Sequence, residues 1–159
     1  DIMKKVRIGK EQAIQRIRHY CAYQERAQQE VRDKLYELGM TMDEVEEIMS
    51  DLIAENFLNE ERFAVQFAGG HFRIKGWGRV KIQHALQQKR VSKYNIKIGL
   101  KAIEEDAYIK TLQQLATKKW NSLKEERGLS RMAKTYAFLH QRGFEPILYQ
   151  PIVQKLYKP

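Results

Sequence analysis

Apolar residues recur along this chain at the three- and four-residue spacing of helices. Ala13, Ile14, Ile17 and Cys21 fall on one face of a first helix, Val31, Leu35 and Leu38 on one face of a second, and Val45, Ile48, Met49 and Leu52 on one face of a third. The ends are also written in the sequence. Gly39 suits a left-handed residue closing the second helix. Thr41 can cap the third, and Glu44, three residues on, can complete a capping box worth about 1 kcal/mol. Asn59 followed by Glu60 and Glu61 places a cap and two acids against the free N–H groups of a fourth helix. The alternation that marks strands is absent, so the predicted class is all-α.

The pattern repeats. Leu35 is followed after 51 residues by Leu86, and after a further 53 by Leu139. Val31 corresponds to Ile82. Val45, Met49 and Leu52 correspond to Ile96, Leu100 and Ile103, then to Tyr149, Val153 and Leu156. The turn between second and third helices reads Leu38-Gly39-Met40, then Lys89-Arg90-Val91, then Arg142-Gly143-Phe144. These offsets predict three tandem three-helix units at residues 1–58, 59–104 and 105–159. The opening helices, expected at 11–24, 60–72 and 106–122, match one another least. One such unit is too small to bury a full core, so neighbours should stack. Gly69-Gly70 is expected to interrupt or end the fourth helix and let the middle unit bend.

Charge is sorted into blocks. Glu25 to Glu61 holds twelve acids against three bases, and Arg62 to Ile103 holds ten Lys/Arg residues and no acid. The chain as a whole carries only +9. Sorted blocks create a local potential that can steer a polyanion or an acidic protein surface onto one face, although a merely solvated helix face has the same composition. Within the basic block, Lys93, Lys97 and Lys101 stand four apart and line one stripe of a helix. Arg79, Lys81, Lys89 and Arg90 decorate the helix before it, and Arg73 and Lys75 lead into Gly76-Trp77-Gly78. Like charges at this spacing repel, and a negative partner would offset that cost. Trp77 reads first as a plug over the core and second as a stacking platform for a base.

Hydrophobic residues at 43% and charged residues at 31% exclude a disordered chain. No apolar run approaches the roughly 20 residues that span a bilayer, and Asp1-Ile2-Met3-Lys4-Lys5 lacks the apolar stretch of a leader. Cys21 is the sole cysteine and is expected as a small core residue, which suits a reducing compartment and a cytoplasmic protein. His19, His71, His84 and His140 are scattered without metal-ligand spacing, and no phosphate cradle or nucleophile–base pair emerges. Neither a cofactor nor an enzyme is therefore expected. A helix-turn-helix reading of Arg79 to Ile103 as a DNA reader is weakened by the first unit. There the same layout carries Glu44, Glu46, Glu47, Asp51 and Glu55, which cannot enter a DNA groove.

The residues also carry a family resemblance over nearly the whole chain. Arg26, Glu30, Val31, Lys34, Leu35 and Gly39 mark the first unit, and Asn56-Phe57-Leu58-Asn59-Glu60-Glu61-Arg62-Phe63-Ala64 marks the entry to the second. Gly76-Trp77-Gly78-Arg79, Lys81-Ile82, Leu86 and Lys89 mark the second itself, and Leu139 with Arg142-Gly143-Phe144 the third. In this combination the chain resembles the RecX family, regulators of the RecA recombinase. Ala27 stands where the family commonly has the Ser that caps a helix. Asn56 and Arg90 stand where it commonly has glycine, and Arg90 asks for a turn that does without one.

The resemblance implies an elongated, curved, monomeric helical-repeat protein. Its relatives lie in the groove of the RecA–DNA filament and mostly inhibit recombination and ATP hydrolysis. On that basis the surface facing RecA and DNA is expected at Arg73, Lys75, Arg79, Lys81, Lys89, Arg90, Lys93, Lys97 and Lys101. DNA is expected to be touched within the filament or weakly alone. The alternative is an autonomous, sequence-indifferent nucleic-acid binder.

Overall fold

The computed structural model describes residues 7–158, so the Asp1–Lys5 stretch lies outside the described residues. Among those residues nine α-helices follow one another without a strand: α1 Lys10–Tyr23, α2 Gln28–Glu37, α3 Met42–Ala54, α4 Glu60–Lys75, α5 Arg79–Gln88, α6 Lys93–Lys101, α7 Glu105–Ser122, α8 Gly128–Gln141 and α9 Pro146–Tyr157. They form three repeated three-helix bundles in an elongated arrangement. In each, the first and third helices run parallel and the second joins them. The register is visible in the pairs across α1 and α3. Lys10 meets Glu47 at 2.9 Å and Arg18 meets Glu55 at 2.6 Å, both 37 residues apart. In the last bundle Tyr108 bonds Glu145, and Trp120 meets Tyr157 edge-on at 6.4 Å, again on parallel helices.

The repeated leucines explain why the bundles form. Leu35, Leu86 and Leu139 are all completely buried, as are Val31 and Ile82. Leu100 and Leu156, each one member of its third helix's apolar triad, are only partly buried. The caps follow the sequence. Thr41 accepts the Glu44 N–H while Glu44 accepts the Thr41 N–H at 3.0 Å, closing the box. Arg7 adds two bonds of 3.0 Å to the same carboxylate. With the Thr41 amide it holds the Glu44 carboxyl at about 2, well below the ordinary range. At Ala27 the missing hydroxyl leaves half a box: Glu30 accepts the Ala27 N–H at 3.3 Å and nothing is returned.

One expectation fails. Gly69 and Gly70 neither end nor interrupt a helix, because α4 runs through both. Gly69 is buried, and the Arg73 guanidinium folds back over the helix there, 2.6 Å from where a Cβ would sit. Gly69 gives room for a side chain rather than a hinge, and a Cβ at Gly70 would meet nothing within 4 Å. The turn at Arg90 does without glycine, as expected, because Arg90 itself adopts φ +60°, as Asn56 adopts +64°. The reason lies in what covers the turn. At Gly143 (φ +91°) a Cβ would meet the Lys81 backbone nitrogen at 2.5 Å, and at Gly39 (φ +90°) the Arg7 Cα at 2.6 Å. Arg90 is exposed, so its side chain leaves into solvent and only the backbone strain remains.

The junctions between bundles differ in kind. The second and third share one core, in which Phe72, Tyr108 and Phe144 stack in sequence with ring centroids 5.6 and 5.3 Å apart. Their backbones also touch. The Gly78 N–H donates to the Arg142 carbonyl at 2.7 Å, and the Val80 N–H to the Gly143 carbonyl at 2.9 Å. Two free amides at the start of α5 are thereby satisfied by the neighbouring turn. The first bundle closes a separate core around Ile17, Leu35, Val45 and Leu52. It meets the second through Ala27, buried in that shared core, and through charge: Arg62 binds Glu25 at 2.5 Å and the Asn56 side chain at 3.2 Å, and Lys89 binds Glu30 at 3.3 Å.

Candidate interaction surface

The basic block of the sequence divides in three dimensions into cations that are already occupied and cations that are not. Arg79 is the clearest of the first kind. Its guanidinium bonds Glu145 at 2.9 Å, bonds Glu105, and lies 3.8 Å over the Tyr108 ring. Tyr108 donates in turn to Glu145, and burial together with that bond pushes the phenol far above its ordinary range. Lys89 is held by Glu30. Lys75 and Lys81 lie 5.3 and 4.6 Å over the two-sided ring of Trp77, which is half-buried against the shared core. Trp77 is thus a plug whose ring meets the Lys75 and Lys81 ammonium groups. Arg73 folds back on α4 but, like exposed Arg90, has no ion-pair partner among the described residues.

Lys93, Lys97 and Lys101 are of the second kind. All three are exposed on α6, and none has an ion-pair partner among the described residues. α6 is held firmly beneath them. Ser92 caps it by accepting the Asn95 N–H, and Glu60 of α4 accepts both the Ser92 N–H at 2.9 Å and the Asn95 amide at 3.0 Å. At Gly99 the helix lies so close to α4 that a Cβ would stand 2.7 Å from the Ala64 carbonyl oxygen. The stripe therefore stands on a rigid support.

Beside the stripe lies a groove of about 600 Å³ between α5 and α6. Its floor is aliphatic, from Ile96, Leu100 and Ile103. The lysines form one rim and Gln83 and Gln87 of α5 the other, and the Arg79–Glu105 pair closes an end. Sequence reasoning placed the lysines and missed the glutamines. Their spacing of four on the outer face of α5 was the available signal, but neutral residues do not show in a charge count.

The residues that carried the family resemblance sit elsewhere, at caps and junctions. Arg26 lies 3.7 Å over the Tyr20 ring and donates to the Tyr20 carbonyl. Lys34 sits 3.9 Å from Glu37. Arg62 ties the first bundle to the second, and Phe63 and Phe144 are core. Gly76 ends α4 with φ +65°, and Gly78, Arg142 and Gly143 form the contact between second and third bundles. No cluster of three His, Cys, Asp or Glu residues able to hold a metal occurs among the described residues. Buried Cys21 has its thiol raised to about 11 by desolvation, which leaves it unreactive. No described helix is long and apolar enough to cross a membrane.

Comparison with known proteins follows the three bundles in order. Three family models match in series: the first three-helix domain of RecX at residues 13–52, the second at 59–100 and the third at 106–146. The "Regulatory protein RecX" of Clostridium perfringens (strain 13 / Type A) is 31% identical over 133 residues, covering 82% of this chain and 62% of that protein. That of Prosthecochloris aestuarii is 29% identical and covers 84% of this chain and 85% of its own. The chain thus spans about three fifths of the length of the Clostridium relative. In fold it is similar to the crystal structure of RecX from Lactobacillus salivarius, with a TM-score of 0.85 at 22% identity over 92% of this chain and 96% of that one. A second crystal structure, of regulatory protein RecX, gives 0.82 at 21% identity over 91% of this chain and 71% of that one.

Proposed function

This chain belongs to the RecX family, and from that premise we propose that it binds the RecA recombinase, lies along the groove of the RecA–DNA filament and restrains recombination and ATP hydrolysis. The observation that carries the reading is the unoccupied stripe of Lys93, Lys97 and Lys101 on a rigid helix in the middle of an elongated stack. In the first bundle and at the junction, cations are answered internally: Arg7, Lys10 and Arg18 pair with acids of α3, and Arg79 is enclosed by Glu105 and Glu145. Three cations in step on one held helix, beside an open groove, are what an external anionic partner calls for. The role is that of a regulator that acts by contact, without chemistry of its own. The direct test is RecA ATP hydrolysis on single-stranded DNA with increasing amounts of this protein. A dose-dependent fall is expected, and an unchanged rate at saturating protein would refute the reading.

The same surface supports a secondary activity. Binding to naked DNA should be weak, indifferent to sequence and steeply lost on adding salt, because Lys93, Lys97 and Lys101 can meet phosphates while no base-reading set accompanies them. Fluorescence anisotropy on unrelated duplexes of equal length measures this. A thousandfold preference for one sequence at moderate salt would promote the autonomous DNA-binding reading instead.

A further inference from the structure

The groove beside the lysine stripe says what kind of anion belongs there. A nucleic-acid strand offers phosphates and flat bases, and proteins that hold single strands meet the bases with aromatic faces. No aromatic ring lines this groove. Tyr94, the aromatic residue on α6, is exposed but not among the groove's residues. The floor is aliphatic, with Leu100 partly open and Ile96 and Ile103 only 4% and 6% exposed beside it. Such a floor suits a row of branched side chains. The rims are chemically unequal. One carries three cations, the other two neutral amides, and the groove's single carboxylate, Glu105, is already held by Arg79.

An occupant must therefore be apolar along its centre and acidic along one edge. The lysines repeat once per helical turn, so Lys93 to Lys101 spans about 12 Å. A second helix laid along α6 has the same pitch, and carboxylates four residues apart on it would meet the lysines in step. Its apolar strip, at the three- and four-residue spacing, would rest on the floor. We infer that the α5/α6 groove receives an acidic amphipathic helix of a protein partner, its apolar strip on Ile96, Leu100 and Ile103 and its carboxylates on Lys93, Lys97 and Lys101. This deepens the filament reading and rests on it for the statement that the partner is a protein. It assigns the stripe to protein contact and leaves phosphate contact as its weaker use.

The test uses the whole chain and a fluorescein-labelled synthetic helix of about 14 residues, with leucines on one strip and glutamates along one flank. A scrambled peptide of the same composition and an oligothymidine of equal length are the comparisons. Anisotropy should show the patterned peptide binding at least about tenfold more tightly than the scrambled one, since scrambling keeps the charge and destroys the strip. Lys97→Glu should weaken the patterned peptide about tenfold, and Gln87→Glu should weaken it by placing a like charge on the neutral rim. Both positions are exposed, and circular dichroism confirms that each variant keeps its helices. Equal binding of patterned and scrambled peptides, or displacement of the patterned peptide by equimolar oligothymidine, would show a general polyanion face and overturn the proposal. Co-sedimentation with RecA–DNA filaments, done on the same preparations, separates the two levels. Sedimentation with no peptide binding sinks the groove alone. Peptide binding without sedimentation supports the groove and sinks the filament reading.

Discussion

Leu86→Ala should destabilise the fold by about 2–5 kcal/mol, the range for deleting a fully enclosed leucine when the cavity cannot collapse. Leu86 has no exposed surface, and its carbonyl accepts the Val91 N–H at 3.1 Å, which fixes the turn between α5 and α6. It also belongs to the core cluster that runs through the second and third bundles. Leu100→Ala is the internal control. It removes the same atoms from a partly exposed site on the same bundle and should cost clearly less. Urea unfolding of both variants measures the difference. A loss under about 1 kcal/mol at Leu86 would remove it from the core and break the repeat register.

Reversing the stripe should have the larger effect on binding. The triple change of Lys93, Lys97 and Lys101 to Glu is expected to weaken association with RecA filaments roughly a hundredfold at low salt. An exposed ion pair contributes little by itself, but reversal removes an attraction and adds a repulsion at each of three positions in step. The effect should shrink as salt rises, because screening acts on exposed charges first. Filament sedimentation at two salt concentrations reads both quantities. Undiminished binding at each would reduce the stripe to a solvated face. The same reversal at Arg79 would be uninformative, since it breaks contacts to Glu105, Glu145 and Tyr108 and so disturbs the junction itself.

The helical scaffold was legible because its signals are local. Leu35, Leu86 and Leu139 declare their burial through spacing, and the Thr41–Glu44 box and the Asn59 cap lie within a few residues of the helices they start. Gly69-Gly70 misled because glycine permits a break without requiring one. What decided the matter was Arg73 lying across Gly69, which no count of glycines reveals. The surface was only half legible for a related reason. A run free of acids describes a segment, whereas a potential belongs to a folded face. Glu30, Glu105 and Glu145 arrive from outside the run and occupy Lys89 and Arg79. α6 escaped such neighbours, and the lysine spacing alone could not say so. The left-handed turn at Arg90 shows the converse. The family's usual glycine was a sign of the backbone shape, which persists after the glycine is gone.

The unequal junctions have a consequence for how the molecule comes apart. Except for Ala27, the first bundle keeps its apolar residues to itself, and its bonds to the second bundle are made by Arg62, Lys89 and their acids. The second and third cannot separate without exposing Phe72, Tyr108 and Phe144 to water. Opening therefore has a preferred order. The amino-terminal bundle detaches as one cooperative block at little hydrophobic cost, and the remaining two lose their structure together. Ions in solution weaken the first step and hardly touch the second, so dissolved salt tunes the reach of one arm while the basic middle stays in place.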